Sequence, residues 1–355
     1  MSNQCAACGK SDGPLKKCSA CRSAWYCGVD CQRLHRPAHK TECKHIVREL
    51  KLAAALEEIK INPKENSIDV ADPDLFKTPP IQNCAVCMLP MPYERPVESR
   101  YLACCGNYTC TGCMYESTRV SMQASVLKEL ERGEKSDSDD ADCCPFCRAE
   151  RPTSDIESVA RLESRAKGGD ENALLQLSVY YRQGAHGLQK DVAKSLELEH
   201  KAAELGSAEA CHYLSLRYSP HLADDKEDRM NGIIPSKEKM DYYKKEAAKG
   251  GSVFARYDLG LDEMKAGNVA HAHRHWMISV ARGDDNSLKA FELEKHFGRI
   301  SEEKYSEIKT MHECGKEEME SEERGRMIRS GFDLAKYIDL YFDDEAKAKA
   351  QQTKI

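Results

Sequence analysis

Sixteen of the 18 cysteines lie between Cys5 and Cys147, and this clustering constrains the fold more than any other feature of the sequence. The N-terminal residues lack the basic start and apolar run of a secretory signal. No stretch approaches the roughly 18 apolar residues that span a bilayer. We therefore expect a chain of the cytoplasm or nucleus with no membrane segment. Clustered cysteines in a reducing compartment bind metal more often than they form disulfides.

The first potential metal ligands form four close pairs, and each pair can supply two ligands to one zinc ion. Because tetrahedral zinc takes four ligands, eight ligands predict two ions. Spacing alone leaves open which pairs share an ion. A segment this short buries too little apolar surface to fold alone, so zinc would supply most of its folding free energy. The pairs are Cys5 with Cys8, Cys18 with Cys21, Cys27 with Cys31, and His39 with Cys43.

These pairs, together with Trp25-Tyr26 just before Cys27, resemble a MYND-type zinc finger over residues 5–43. The resemblance implies interleaved sites and a module that docks short proline-containing peptides of protein partners. Residues 1–60 carry 11 Lys/Arg and 6 Asp/Glu, but no base-reading helix accompanies them, so nucleic acid is not an expected partner. The implied zinc ligands are Cys5, Cys8, Cys27 and Cys31 for one ion, and Cys18, Cys21, His39 and Cys43 for the other.

A connecting segment, residues 44–80, follows the finger. Apolar residues at spacings of three and four predict a helix from His45 to Lys60. Several prolines then predict a linker over residues 61–80. Within it, Pro73-Asp74-Leu75 weakly resembles a peptide that a MYND finger binds.

The cysteines resume in a second module, residues 81–151, that resembles a RING-like finger. The resemblance implies two more zinc ions, one of them on Cys84, Cys87, Cys110 and Cys113. The other would use Cys144 and Cys147 with a middle pair at Cys104 and Cys105. Asn107 stands where a histidine often binds and is a poor zinc ligand. Either both adjacent cysteines bind or only one does, and Cys143 is a spare cysteine.

A RING-like finger implies contact with a ubiquitin-conjugating enzyme, and the positions that match this contact are Val86, Pro145 and Arg148. A planar guanidinium at residue 148 could donate to carbonyl groups of two partners at once. The stretch after Cys113 predicts a helix over residues 121–132. An acidic, serine-containing stretch over residues 134–142 predicts disorder.

From about residue 156 the composition changes and an internal repeat appears. The repeat predicts antiparallel helix pairs in which small residues allow close approach and a glycine ends the second helix. It resembles the Sel-one-like branch of the tetratricopeptide superfamily over residues 156–300, with residues 284–300 as a decayed fourth repeat. The first-helix frames begin at Ala173, Ala210 and Ala255, and the second-helix frames end at Gly206, Gly250 and Gly283.

The histidines of the repeat region, Cys211 and the charged tail give no distinct functional signal. His271 and His275 would share one helix face, but they fall in a repeat helix, so packing is favoured over metal binding. Cys211 is expected to be a small core residue. The charged tail, residues 301–355, is expected to be helical, with a stripe of Leu334, Ile338 and Phe342.

Together these patterns predict a mostly α chain, with two zinc-stabilised fingers followed by an α-solenoid of helix pairs. We find no phosphate-binding loop, dinucleotide fingerprint or nucleophile motif. Closed four-ligand zinc sites do not activate water. The favoured function is therefore a zinc-binding adaptor or scaffold that docks protein partners. The alternative is a RING-type ubiquitin ligase whose repeats recruit the substrate.

Overall fold

The computed structural model describes residues 4–11, 13–59, 72–91, 99–132, 143–220 and 230–330. Helices dominate these ranges, which confirms the predicted mostly α class. They are α1 Val29–Glu58, α2 Thr111–Arg132, α3 Asp155–Lys167, α4 Glu171–Gln183, α5 Val192–Glu204, α6 Ala208–Arg217, α7 Lys237–Lys249, α8 Val253–Lys265, α9 Val269–Val280, α10 Asp285–His296, α11 Glu302–Met319 and α12 Glu322–Arg329.

Two short antiparallel hairpins lie in the cysteine-rich part of the chain. In the first, β1 Lys16–Lys17 pairs with β2 Trp25–Tyr26. In the second, β3 Ser99–Leu102 pairs with β4 Asn107–Cys110. Each hairpin places cysteines next to the strand ends, where they can meet ligands from other segments.

The chain forms two compact units, each built from segments that are distant in sequence. The first unit comprises residues 1–78 and 256–318, and the second comprises residues 79–255 and 319–355. Each unit thus combines one cysteine-rich module with helices from the repeat region.

In the first unit, α1 connects the N-terminal finger to a helical core. Its first turns carry ligand candidates, and its later turns place Leu52 in a cluster with Trp276, Met277 and Phe291. The helix begins at Val29, far before the predicted start at His45. The polar ligand side chains obscure the apolar periodicity of its first half, so this part was not predicted as helix.

In the second unit, successive helices pack in pairs, with α4 against α5 and α6 against α7. Two cores result: Leu174, Leu177 and Leu198 belong to one, while Leu214 and Tyr218 belong to the other. Side-chain caps begin these helices, with Asp191 accepting from the Lys194 amide and Ser207 from the Ala210 amide.

The small residues that define the predicted repeat are buried. Ala173, Ala210 and Ala255 are all fully buried, and Cys211 is also buried, as expected for a core position. Gly206 and Gly283 have positive φ and end their helices as predicted. In the middle frame, Gly250 keeps a negative φ and the next residue, Gly251, has φ 105° instead.

Helices α10, α11 and α12 cover the decayed repeat and the first part of the tail. None of the helices in the described ranges is long and apolar enough to cross a membrane. Three predictions lie wholly or partly outside the described residues. They are the linker up to residue 71, the acidic stretch over 134–142 and the apolar stripe of Leu334, Ile338 and Phe342.

Candidate metal centres

The N-terminal finger brings its eight candidate ligands into two separate groups. The ligand atoms of each group lie within 4.8 Å of one another. Cys27 follows β2 directly and lies just before α1. Helix α1 itself carries one ligand of the first group, Cys31, and two of the second, His39 and Cys43. The groups are Cys5, Cys8, Cys27 and Cys31, and Cys18, Cys21, His39 and Cys43, the same sets that the MYND resemblance implies.

The histidine of the second group is held in place by its other ring nitrogen. His39 Nε2 lies 3.2 Å from Cys21 Sγ, and His39 Nδ1 lies 3.2 Å from a Glu42 carboxylate oxygen. Such a carboxylate fixes the orientation of a ligating imidazole. His35 instead stacks on the His39 ring and contacts the Tyr26 hydroxyl through Nδ1, so it supports the site from outside.

Hydrogen bonds within the first finger prepare some thiols for metal binding. A backbone hydrogen bond from Cys27 is the largest effect that lowers the pKa of Cys5, to about 6. Burial opposes ionisation of Cys21, but the Ser23 hydroxyl and nearby backbone groups lower its pKa to about 6. The hydrogen bond with Cys27 raises the pKa of Cys31 to about 12. Zinc binding would displace the protons that the other thiols retain.

The second module also contains two groups. Cys84, Cys87, Cys110 and Cys113 form the first, and Cys104, Cys105, Cys144 and Cys147 form the second, each again within 4.8 Å. Both adjacent cysteines therefore lie in one group. Cys143 lies outside it and forms a β-bridge with Glu150. The Asn107 side-chain amide donates to the Cys105 carbonyl oxygen at 3.3 Å.

The distances between sulfur atoms fit tetrahedral zinc. Four thiolates at the usual 2.3 Å from zinc would be about 3.8 Å apart. The observed separations run from 3.4 Å for Cys27–Cys31 to 3.9 Å for Cys87–Cys110, with 3.7 Å for Cys8–Cys27, 3.8 Å for Cys18–Cys43 and 3.5 Å for Cys104–Cys147. The donor set of cysteine and histidine is also the one that zinc prefers, so the residues present fit four zinc ions, with ligand assignments that remain predictions.

In the Cys-x-x-Cys segment at Cys110–Cys113 the residues after Cys110 belong to α2, but the other four such segments form turns that share one backbone geometry. The residue after the second cysteine has a positive φ, and its amide donates to the carbonyl oxygen of the first cysteine over 2.8–3.0 Å. This turn points both sulfur atoms to the same side. The four residues are Gly9 with φ 71°, Arg22 with φ 57°, Met88 with φ 59° and Arg148 with φ 62°. Sequence reasoning missed this feature, because only the first of the four is a glycine.

The predicted contact residues of the second module lie on two of these turns. Val86 is 41% exposed, and Phe146, next to the partly exposed Pro145, is 49% exposed. Arg148 is also exposed. The structure thus presents apolar and cationic groups at the module surface without assigning a partner to them.

Hydrogen bonds hold the second module against the helices of its own unit. The Tyr101 hydroxyl donates to Asp170 Oδ2 at 2.6 Å, and Arg165 Nε donates to the same oxygen at 2.8 Å. Burial favours the neutral form of Asp170, but Tyr101 and the Ala173 amide outweigh it and lower the pKa of this carboxyl group. Asp170 also caps α4, so one side chain links the module to the start of a repeat helix.

The Pro73–Phe76 segment folds as a 3₁₀ turn against α8 and α9 in the first unit. Arg256 donates to the Leu75 carbonyl oxygen at 2.7 Å and to the Lys77 carbonyl oxygen at 3.2 Å. The Phe76 ring packs on His271 and His275, with ring centroids 5.6 and 4.9 Å away. These histidines therefore serve packing, as the sequence favoured. The third nearby histidine, His273, contacts Glu294 instead.

Comparison with known proteins identifies the first module. Residues 5–43 match the family model of the MYND finger, so this segment is a MYND finger, a zinc-binding module. Curated relatives match over the same region alone. The histone-lysine N-methyltransferase ASHR1 of Arabidopsis thaliana is 46% identical over 46 residues, which are 13% of this chain and 9% of that protein. The human N-lysine methyltransferase SMYD2 is 42% identical over 45 residues, which are 13% of this chain and 10% of that protein.

Two solved structures resemble parts of the chain. A Sel1 repeat protein from Oxalobacter formigenes has a TM-score of 0.33 and 23% identity, and the match covers 38% of this chain and 97% of that one. The protective antigen c5321 of uropathogenic Escherichia coli, which displays an SLR fold, has a TM-score of 0.34 and 17% identity. That match covers 62% of this chain and 43% of the antigen.

Proposed function

We propose that the protein is a zinc-dependent adaptor that docks protein partners through its MYND finger and its repeat helices. The observation that carries this proposal is the continuity of α1. The helix bears Cys31, His39 and Cys43 at one end and buries Leu52 among the repeat helices at the other. A finger fixed on a helical scaffold presents its surface in one orientation, which suits a docking module.

The charged contacts of α1 strengthen this attachment. Arg48 is buried and donates to Glu318 at 2.5 Å, with His45 3.0 Å from the same guanidinium. Arg274 donates to the Leu56 carbonyl oxygen at 3.1 Å, near the end of the helix. Removing one partner of a buried ion pair costs about 3–5 kcal/mol, because the other charge stays buried and unpaired, so the pair disfavours placements of α1 that separate Arg48 from Glu318.

The finger also offers exposed apolar side chains in the first turns of α1. Val29 is 63% exposed and Leu34 is 75% exposed. Apolar side chains rimmed by charged ones are typical of surfaces that bind peptides. We propose that a short proline-containing peptide of a partner protein docks here, in keeping with the role of MYND fingers as interaction modules.

Fluorescence anisotropy with a labelled array of proline-containing peptides tests this proposal. The full chain, loaded with zinc, is expected to bind a subset of the array. Leu34→Glu should abolish that binding, whereas Leu50→Glu, at an exposed site on the same helix outside the finger, should not. Equal binding by both variants, or no binding by the wild type, would reject the adaptor proposal for the finger.

The exposure of Val86 and Arg148 favours a second candidate, a RING-type ubiquitin ligase. Here the second module would hold a charged ubiquitin-conjugating enzyme, and the repeats would hold the substrate. No covalent intermediate on this chain is required, because the conjugating enzyme carries the thioester.

Autoubiquitination with a panel of conjugating enzymes tests the ligase candidate. We expect Arg148→Ala to abolish chain formation if the arginine contacts the conjugating enzyme and ubiquitin. Arg22→Ala is the matched control, because Arg22 has the same positive φ and the same amide hydrogen bond in the MYND finger. If the wild type has no activity with any conjugating enzyme, the ligase candidate is rejected and only the adaptor function remains proposed.

A further inference from the structure

The last described helix, α12, packs directly on the second cysteine module of its unit. A Cβ atom on Gly112 would lie 2.6 Å from the backbone nitrogen of Arg324, so only glycine permits this approach. Arg326 also forms an ion pair of 3.1 Å with Glu116 on α2. The helix is therefore an integral neighbour of the module, although more than 170 residues separate the two in sequence.

Arg324 points from α12 into the first cysteine group of that module. Its side chain is buried, with 7% of the residue exposed. One guanidinium nitrogen, Nη1, donates to the Pro90 carbonyl oxygen at 2.9 Å and to the Met319 carbonyl oxygen. The other, Nη2, lies 3.8 Å from Cys87 Sγ. The guanidinium thus touches both a ligand atom and the backbone that follows the Cys84–Cys87 turn.

The charge of a four-cysteine zinc site explains why a cation belongs there. Four thiolates and one Zn²⁺ carry a net charge of −2, and a buried charge is unfavourable without a partner. A guanidinium is weakly hydrated and planar, so it can lie against sulfur while it donates to neighbouring carbonyl groups. Hydrogen bonds to the sulfur atoms and nearby charges are known to tune the stability of metal sites.

We propose that Arg324 is a positioning residue for zinc at Cys84, Cys87, Cys110 and Cys113. It compensates the thiolate charge and fixes the Pro90 backbone beside the turn. The inference rests on the proposed zinc assignment of the second module. It makes α12 a functional part of that site.

Zinc release from the full chain tests this inference. Native mass spectrometry would count zinc ions over time in an excess of EDTA. We expect Arg324→Gln to lose one zinc about 10- to 100-fold faster than the wild type, in line with the loss of metal affinity that follows removal of outer-shell partners. Arg329→Gln, an exposed site on the same helix, should release zinc at the wild-type rate.

If Arg324→Gln releases zinc at the same rate as the wild type, the proposal is overturned. If that variant does not fold, Arg324→Lys provides the second test, since it keeps the charge but not the forked donor group. It should release one zinc faster than the wild type, and an unchanged rate would again overturn the proposal. A wild-type chain with only two zinc ions would overturn the zinc assignment itself, and this outcome is visible before any variant is compared.

Discussion

The backbone amide of Arg148 donates to the carbonyl oxygen of Cys144, 3.0 Å away, while Arg148 adopts a left-handed conformation with φ 62°. The backbone amide of Met88 likewise donates to the carbonyl oxygen of Cys84, 2.9 Å away. A side chain other than glycine in this conformation costs about 1–2 kcal/mol. The geometry of the metal turn thus outweighs the local preference of the backbone at both positions.

Substitution of Met88 tests the energetic role of this turn. Met88→Gly should stabilise the closed turn by about 1 kcal/mol, whereas Met88→Val should destabilise it, because a β-branched residue is disfavoured at positive φ. Native-state hydrogen exchange of the residue 88 amide measures both effects. Equal protection in the two variants would contradict the strained-turn interpretation.

The zinc content of cysteine variants tests the ligand sets. We expect four zinc ions in the wild type and three when either Cys104 or Cys105 is replaced by serine. Cys143→Ser should retain four, since Cys143 lies outside the group. Native mass spectrometry gives these counts directly. A full complement in only one of the two adjacent variants would mean that the second module uses a single cysteine of that pair.

Removal of the Arg256 guanidinium should release the Pro73–Phe76 segment from its helices. Arg256→Gln loses two hydrogen bonds from a charged donor to backbone carbonyl groups, and each such bond contributes about 1.5–3 kcal/mol. Hydrogen exchange of the Lys77 backbone amide, which donates to the carbonyl oxygen of Asp74, should therefore accelerate at least tenfold. Lys265→Gln on the same helix is exposed and serves as the control. Unchanged exchange in Arg256→Gln would show that packing of Leu75 and Phe76 alone holds the segment.

A glycine in the third repeat should tolerate no methyl group. Alanine normally stabilises a helix interior relative to glycine by about 0.5–1 kcal/mol. At Gly260, however, a Cβ atom would lie 2.2 Å from Trp276 Nε1, whose ring is buried. We expect Gly260→Ala to destabilise the first unit by about 1–3 kcal/mol through overpacking. Thermal unfolding followed by circular dichroism measures the sign, and a stabilised variant would contradict the packing argument.

The sequence alone predicted the features that depend on residues close together in the chain. The spacing of Cys5, Cys8 and the later pairs follows from the shape of a metal turn, and the MYND finger was recognisable from it. The repeat was readable because Ala173, Ala210 and Ala255 recur at positions where helices must approach closely. In contrast, the first half of α1 was missed because ligands replace its apolar stripe and Pro37 interrupts the pattern.

Contacts between distant segments could not be predicted in this way. Arg324 reaches Cys87 across 237 residues, and Arg256 reaches Leu75 across 181 residues. Neither arginine stands in a distinctive local pattern, because surrounding residues in α12 and α8 are also charged. Their roles depend on tertiary structure, which a periodicity in one helix does not encode.

The assembly of each unit from distant segments has a consequence during protein synthesis. Arg48 on the finger-bearing helix meets Glu318 across 270 residues. At about 5–20 residues per second, a ribosome needs roughly tens of seconds to translate that interval. The MYND finger can take up zinc soon after it leaves the exit tunnel, but its helix waits with Leu52 uncovered until the last repeats emerge. Chaperones that shield apolar helices on nascent chains would therefore act on this protein during that interval.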